Sequence, residues 1–141
     1  MKLQEMDPEV YKVIGAAMKV HQELGCGFLE AVYADALEIE FQKRGIPYVK
    51  EKLVNVYYSN IKLKSFYKAD FICYDGLIVE TKAQTSLSPV DSAQTMNYMK
   101  GTRLRRAVLI NFGEPSLRHK YLSWQTKWDT KSETLSDTNN E

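Results

Sequence analysis

Two neighbouring apolar segments of this chain carry charged residues whose types and spacing suit hydrolytic chemistry. Asp70 precedes the apolar run 71–74, and Glu80 and Lys82 stand two residues apart at the end of the next run. Charged side chains seldom lie in the middle of a sheet unless they pair, bind a metal or react. Two carboxylates can hold Mg²⁺, and a lysine can orient water or stabilise developing negative charge. The same three residues would also suit an ordinary cross-strand ion pair, so both interpretations are open at this point.

A β-hairpin is predicted around Asp75-Gly76, because both flanking segments are rich in β-branched and aromatic residues. Successive strand residues face opposite sides of a sheet, so Glu80 and Lys82 share one face. A two-residue turn at Asp75-Gly76 would place Asp70 on the opposite face from Glu80.

The length of this hairpin loop therefore decides whether the three charges can form one site. A three-residue loop that ends in a left-handed Gly76 pairs Cys73 with Leu77. Asp70 then lies directly across from Glu80. We expect this longer loop, with a positive φ at Gly76 and both carboxylates on the same side of the sheet.

The rest of the sequence predicts the elements that must position these charges. Asp7-Pro8 and Ser88-Pro89 are typical helix starts, and Gly25, Gly45 and Gly101 are typical helix ends. The continuous apolar run at 107–112 is typical of a strand that is buried on both faces. The predicted helices are 8–24, 28–44 and 89–100, and the predicted strands are 48–58, 61 through 70, 77–82, 107–112 and 117–124.

Two polar residues fall on the inward stripes of the first two helices. The first stripe comprises Val10, Ile14, Ala17, Met18, His21 and Leu24, and the second comprises Glu30, Tyr33, Leu37 and Phe41. We interpret His21 as a core histidine with its hydrogen bonds satisfied rather than as a catalytic group. Glu30 has two interpretations. It either interacts with the dipole of its helix, which is worth ~0.3–1 kcal/mol, or it adds a ligand or orienting group to the hairpin site.

Length and composition indicate a single α/β domain over residues 1–124. From about residue 125 to residue 141 polar residues dominate, which predicts a disordered tail. No apolar run approaches the ~20 residues that span a bilayer, and the first residues lack the apolar core of a signal peptide, so we expect a cytoplasmic protein without membrane contact. Cys26 and Cys73 are not in metal-ligand spacing and are expected to be reduced.

The net charge of +1 does not by itself indicate a nucleic-acid-binding protein. Local basic clusters are present nevertheless. They are equally compatible with a solvated basic edge and with phosphate contacts. These clusters comprise Arg103, Arg105 and Arg106, followed by Arg118, His119 and Lys120.

An Asp followed by Glu-x-Lys, here Asp70 and 80–82, resembles the signature of the PD-(D/E)xK nuclease superfamily. The superfamily is built on a restriction-endonuclease-like αβββαβ core, a mixed sheet flanked by helices. The predicted element order is similar, with one extra N-terminal helix. Gln94 and Tyr98, four residues apart on the next helix, match the Gln-x-x-x-Tyr motif of the RecB-like branch.

A closer resemblance is to the GxxExxY protein family of the same superfamily. Gly27, Glu30 and Tyr33 match the motif that names the family, and the segments 20–25, 44–47 and 109–113 agree further. The resemblance covers about residues 8 to 124. Several motifs in a fixed order make a chance match improbable.

The resemblance implies a Mg²⁺- or Mn²⁺-dependent nuclease that acts on DNA, with RNA a less favoured substrate. By the same resemblance, Asp70, Glu80, the backbone carbonyl of Thr81 and Glu30 are the expected metal ligands. The alternative is a catalytically idle nucleic-acid- or protein-binding module that keeps the fold. The residues expected to take part in catalysis are Lys82, Glu80, Asp70, Gln94 and Tyr98.

Overall fold

The computed structural model describes residues 7–124 and shows a mixed five-stranded sheet with helices on both faces. The strand order is β1-β2-β3-β4-β5, in which β3 and β4 are parallel and all other neighbours are antiparallel. The predicted disordered tail, 125–141, lies outside the described residues. The elements in chain order are α1 (Pro8–Leu24), α2 (Glu30–Arg44), β1 (Tyr48–Tyr58), β2 (Ile61–Cys73), β3 (Leu77–Lys82), α3 (Pro89–Thr102), β4 (Arg106–Asn111) and β5 (Arg118–Ser123).

The expected α/β architecture with its extra N-terminal helix is therefore confirmed. Connecting the parallel strands β3 and β4 requires a crossover, and α3 supplies it. Among the helices within residues 7–124, none is long and apolar enough to cross a membrane.

Side-chain caps begin two of the three helices, as the sequence predicts. The Asp7 carboxylate accepts a hydrogen bond of 2.8 Å from the Glu9 backbone N–H. Ser88 and Asp91 form a reciprocal capping box at the start of α3. No side-chain cap is present at the start of α2, which begins at Glu30, two residues later than predicted.

The end of α3 differs from the prediction. The helix continues through Gly101 to Thr102 and ends at Arg103, whose φ is 69°. The Arg103 guanidinium lies 4.8 Å from the Tyr57 ring centroid and donates a 2.7 Å hydrogen bond to Asn60 Oδ1. These tertiary contacts stabilise a left-handed residue where the sequence offered a glycine stop.

Two apolar cores lie on opposite faces of the sheet. The larger core joins α1 and α2 to residues such as Phe71, Val79 and Val108, and the smaller core joins α3 to Ile78 and Leu109. On the predicted α1 stripe Met18 is 51 % exposed, so its inward placement was wrong. The buried members of the α1 face are Val10, Val13, Ile14, Ala16, Ala17 and Val20.

The β2–β3 hairpin has the predicted register but not the predicted turn. Cys73 pairs with Leu77, as expected for a three-residue loop. Positive φ angles occur at Tyr74 (53°) and Asp75 (64°) and not at Gly76, whose N–H donates to the Cys73 carbonyl at 3.2 Å. The predicted left-handed Gly76 is therefore wrong. Two left-handed central residues give the twist of a type I′ turn, which matches the twist of the strands, and Gly76 is the additional residue after it.

Two glycines in different surroundings should respond differently to substitution by alanine. A Cβ on Gly113 would lie 2.3 Å from the Gln84 carbonyl oxygen and 2.5 Å from the Gln84 nitrogen, whereas a Cβ on Gly76 would meet no atom within 4 Å. We expect Gly113→Ala to destabilise the fold by about 1–3 kcal/mol. Gly76→Ala should stay within about 0.5 kcal/mol of wild type. Urea unfolding of both variants checks this, and a costly Gly76→Ala would contradict the turn described above.

Candidate active site

The strands β2 and β3 separate where the predicted charged residues begin. The last paired residues are Phe71 and Val79, so Asp70 and Glu80 do not form the expected ladder pair. Instead, Asp70 Oδ2 accepts hydrogen bonds from the Thr81 backbone N–H at 2.8 Å and from Thr81 Oγ1 at 3.0 Å. The Asp70 carboxylate is therefore fixed against the end of β3.

The side-chain alternation of β2 also changes at Asp70. Ala69 packs in the core on the α3 side, but Phe71, two residues later, packs in the core on the α1 and α2 side. On the neighbouring strand Glu51 has a φ of 54°, between the pairs Lys50–Phe71 and Lys52–Ala69. Such local breaks in a ladder redirect side chains, and they are common beside active sites. Strict alternation therefore could not predict the direction of Asp70.

Glu80 is a partly buried side chain whose carboxyl has an altered ionisation. Burial raises its pKa from the ordinary value of 4.5 to about 7, and the negative charge of Glu30 adds to this rise. The positive charge of Lys82 and a hydrogen bond from the Asp70 backbone act in the opposite direction. The pKa of Glu80 thus lies near neutrality, where a carboxyl can change its charge during function.

Unsatisfied polar atoms mark the cleft beside β3. Within residues 7–124, only Glu80 Oε2 and the Tyr67 hydroxyl oxygen are buried side-chain atoms without a hydrogen-bond partner. Both residues line the same cleft of about 210 Å³. Buried polar atoms are normally paired, so two orphaned ones in one cleft indicate a ligand-binding site.

The cleft brings together most of the predicted catalytic residues. Glu80 and Lys82 line it from β3, and Gln94 and Tyr98 line it from α3. The Tyr98 ring stacks on the Tyr67 ring, with 4.2 Å between centroids and 19° between planes. Gln94 and Tyr98 therefore lie in the same cleft as Glu80 and Lys82, whereas Asp70 does not line it. The catalytic roles expected of these residues stay predictions.

Glu30 approaches the same charges from the other side of the sheet, at the first residue of α2. Burial and the charge of Asp70 raise its pKa, and the charge of Lys82 lowers it. Glu30 is exposed, so its predicted inward placement was wrong. It nevertheless lies within electrostatic reach of Asp70, Glu80 and Lys82, although it does not line the cleft. The expectation that Glu30 belongs to the same site as Asp70 and Glu80 stays a prediction.

A local network places the start of α2. The Tyr33 hydroxyl donates to the Gly25 carbonyl at 2.5 Å and accepts from the Phe28 N–H at 3.2 Å. Gly27, with a φ of 116°, permits the turn that this closure requires. The Tyr33 ring is fully buried and stacks on Phe112, 4.7 Å away. Gly27 and Tyr33 of the sequence motif therefore fix the loop that precedes α2. This loop sets the position of Glu30, the third residue of the motif.

His21 is accounted for by structural contacts. Its Nε2 lies 2.9 Å from the Glu114 carbonyl oxygen, and its ring centroid lies 6.3 Å from that of Phe112. It is not among the residues that line the cleft. The interpretation of His21 as a satisfied histidine agrees with this geometry.

Asn111 is a positioning residue that sequence reasoning missed. Its buried side chain accepts from the Gln84 N–H at 2.9 Å and donates to the Gln84 carbonyl at 3.0 Å. It also donates to Glu114 Oε2 at 2.8 Å. Next to it, the Phe112 N–H donates to the Lys82 carbonyl at 2.8 Å. The backbone that follows Lys82 is therefore held on both sides. The available signal was an asparagine inside an otherwise apolar strand.

The oxygen donors around Glu80 limit the kind of metal that could bind here. Among residues 7–124, no group of three or more His, Cys, Asp or Glu side chains is arranged to hold an ion. A site would therefore consist of one or two carboxylates completed by backbone oxygen and water. That composition suits Mg²⁺, which keeps several waters, better than it suits Zn²⁺.

Comparison with known families agrees with this geometry. A family model described as the PD-(D/E)XK nuclease superfamily matches residues 7–123. The chain belongs to the PD-(D/E)XK nuclease superfamily. No curated protein and no solved structure matches it.

Membership supports a nuclease-type function in general terms. PD-(D/E)XK proteins are usually phosphodiester hydrolases, and they generally use divalent metals such as Mg²⁺. In this member of the superfamily the signature residues Asp70, Glu80 and Lys82 are all present, and they interact electrostatically through one local site.

Replacing Glu80 should reveal how much stability its burial costs. Because the folded state holds the Glu80 proton more tightly than the unfolded chain, its contribution to stability is present below the ordinary pKa of 4.5 and is lost as the pH rises through about 7. Glu80→Gln should therefore be more stable than metal-free wild type by on the order of 2 kcal/mol near pH 8, with a much smaller difference near pH 5. Thermal unfolding at both pH values in EDTA measures this. An equal shift at both would contradict the raised pKa.

Proposed function

We propose that this chain is a divalent-metal-dependent nuclease that hydrolyses phosphodiester bonds in DNA, and less readily in RNA. The observation that carries the proposal is the unpartnered, buried Glu80 Oε2 in a cleft that also contains Lys82. A structural ion pair would leave no such oxygen without a partner. The electrostatic interaction of Glu80 with Lys82 and Glu30 supports the same conclusion.

The metal, Mg²⁺ or Mn²⁺, would be held by Asp70 and Glu80 with the backbone carbonyl of Thr81. Because no three such side chains within residues 7–124 are grouped to hold one ion, Glu30 would contribute through water rather than directly. When bound, such an ion supplies a more acidic water and neutralises the charge that develops on the phosphate. These oxygen donors are the type that both ions prefer. The two hydrogen bonds from Thr81 to Asp70 would keep that carboxylate in one orientation.

Lys82 would be the principal catalytic side chain. Its ammonium group carries no acceptor, so it can donate hydrogen bonds to an attacking water or to phosphate oxygens that gain charge. The Asn111 network and the Phe112 N–H hold the backbone around Lys82, which would limit the movement of its side chain.

Gln94 and Tyr98 would position the substrate in the cleft. Gln94 offers amide donors and an acceptor, and it is exposed to solvent. Tyr98 is held in place by stacking on Tyr67. This Gln-x-x-x-Tyr arrangement supports placing the chain near the RecB-like branch. The loop built from Gly27, Glu30 and Tyr33 supports placing it in the GxxExxY family.

Two substitutions separate catalysis from metal binding. Lys82→Ala should lower metal-dependent cleavage by at least about 100-fold while leaving metal binding largely intact, because lysine is not a ligand for Mg²⁺. Asp70→Ala should lose metal affinity and cleavage together. Cleavage of single-stranded DNA, duplex DNA and RNA is assayed with Mg²⁺ and with Mn²⁺, and metal binding is measured by calorimetry.

Lys12→Ala is the matched control, since Lys12 is exposed on α1 and does not line the cleft. Metal binding by the Lys82 variant is best measured near pH 8.5, because losing this positive charge raises the pKa of Glu80 further. If purified wild type neither binds metal nor cleaves any of the three substrates, the idle binding module replaces the nuclease.

Metal affinity should also depend on pH in a defined direction. The pKa of Glu80 is about 7 without metal, so a proton must leave before this carboxylate can act as a ligand. We expect the apparent Mn²⁺ affinity to rise by up to about tenfold per pH unit below pH 7 and to level off above it. Calorimetry across this range tests the prediction. An affinity that is constant between pH 5.5 and 8 would remove Glu80 from the metal site.

A further inference from the structure

Much of the β1–β2 hairpin extends beyond the rest of the sheet. β3 pairs only with residues 71–73 of β2, so residues 52–68, here called the arm, form a two-stranded ribbon. One face of the arm is covered, because Val54, Val56 and Tyr67 pack in the α3-side core. The arm is therefore held rigidly against α3 on one side.

The opposite face of the arm is open. Leu53 and Phe66 alternate with the covered residues and are 56 % and 50 % exposed. Leu53 pairs with Lys68, so these two side chains lie on the same face as Phe66. Two large apolar side chains are therefore about half exposed on this face, beside the charge of Lys68.

The arm also concentrates positive charge. Residues 48–68 contain five lysines and one glutamate, whereas the whole chain carries a net charge of only +1. Lys50 is paired with Asp35 and Glu38 of α2. The other four lysines, at positions 52, 62, 64 and 68, are exposed and form no ion pair within residues 7–124. Their charge is therefore available to an anionic partner.

We propose that the open face of the arm binds single-stranded nucleic acid and leads it to the cleft. Phe66 would stack on a base, and Lys64 and Lys68 would contact the adjacent phosphates. Stacking on an exposed aromatic ring together with lysine contacts to the backbone is how single strands are bound without sequence preference. This inference takes the chemical class of the ligand from the proposed nuclease function.

The spacing along β2 supports this assignment. Lys64, Phe66 and Lys68 follow each other at intervals of two residues, which is about 7 Å in a strand. Lys68 also lines the cleft that contains Glu80 and Lys82. The cleft lies on the α3 side of the sheet, opposite the open face, but β3 does not pair with β2 at Lys68. The row therefore ends at the edge of the sheet beside the cleft.

Charge argues against a second copy of this chain as the occupant. Two copies that met through this face would bring two sets of unpaired lysines together, and like charges at an interface oppose association. A polyanion with unstacked bases satisfies both the lysines and Phe66.

Binding is tested with the full chain in EDTA, so that no cleavage is required. The readout is the fluorescence anisotropy of a labelled oligothymidylate at several NaCl concentrations, with a duplex of equal length for comparison. Phe66→Ala should weaken oligothymidylate binding by about 5- to 150-fold, and Phe66→Tyr should restore most of it. The double variant Lys64→Gln, Lys68→Gln should reduce the slope of log K against log salt by about 1.4.

Tyr11→Ala is the matched aromatic control, since Tyr11 is 51 % exposed and lies on α1. Lys12→Gln is the charge control. Both should bind as wild type does. Thermal unfolding of each variant verifies its fold, and the half-exposed Phe66 can be replaced with little effect on the core.

Any of three results would overturn the proposal. Phe66→Ala could bind the oligothymidylate with unchanged affinity, or the wild type could fail to bind it. The protein could also prefer the duplex, with an affinity that does not change when Phe66 is replaced. Sedimentation showing a wild-type dimer that Phe66→Ala dissociates would assign the face to self-association instead. The two hypotheses fail separately. If the protein cleaves nucleic acid but its binding does not depend on Phe66, only the proposal for the arm is wrong. If binding depends on Phe66 but no metal-dependent cleavage occurs, only the proposed nuclease function is wrong.

Discussion

The candidate site depends on the separation of β2 and β3 after the pair Phe71–Val79. If the ladder continued, backbone groups of the two strands would satisfy each other. Instead, the Asp70 carboxylate accepts the Thr81 N–H that a ladder partner would otherwise receive. This one contact links the two strands across their divergence and leaves space beside Glu80. Glu80, whose pKa is raised by its burial, lines the cleft beside this point of divergence.

The surrounding fold holds the site from two directions. On the α2 side, the closure of the loop by Tyr33 brings Glu30 within electrostatic reach of Asp70. On the β4 side, the Asn111 network fixes the backbone after Lys82. Neither network contributes a reacting atom. Both act by lowering the freedom of charged side chains, which would otherwise pair with each other or turn to solvent.

The same arrangement carries a cost in stability. Burying a carboxylate oxygen without a hydrogen-bond partner lowers the free energy of unfolding. The near-neutral pKa of Glu80 reflects this cost, because burial disfavours the charged form. The apolar cores on both faces of the sheet compensate for it. The folded protein tolerates this cost, and a cation or substrate that supplies the missing interactions would stabilise it further.

The sequence by itself determined the α/β class, the element order and the hairpin register, and it singled out four of the residues that line the cleft, Glu80, Lys82, Gln94 and Tyr98. Caps, glycine stops and strand alternation are local signals, and Asp70, Glu80 and Lys82 stood out because charge is rare in apolar strands. Tertiary structure decided what alternation could not. It turned Asp70 toward Thr81, placed the left-handed residues at Tyr74 and Asp75, extended α3 to Thr102 and placed Asn111 against the backbone of Gln84. Each of these depends on atoms distant in the chain, and their packing outweighs the small local preferences that the sequence displays.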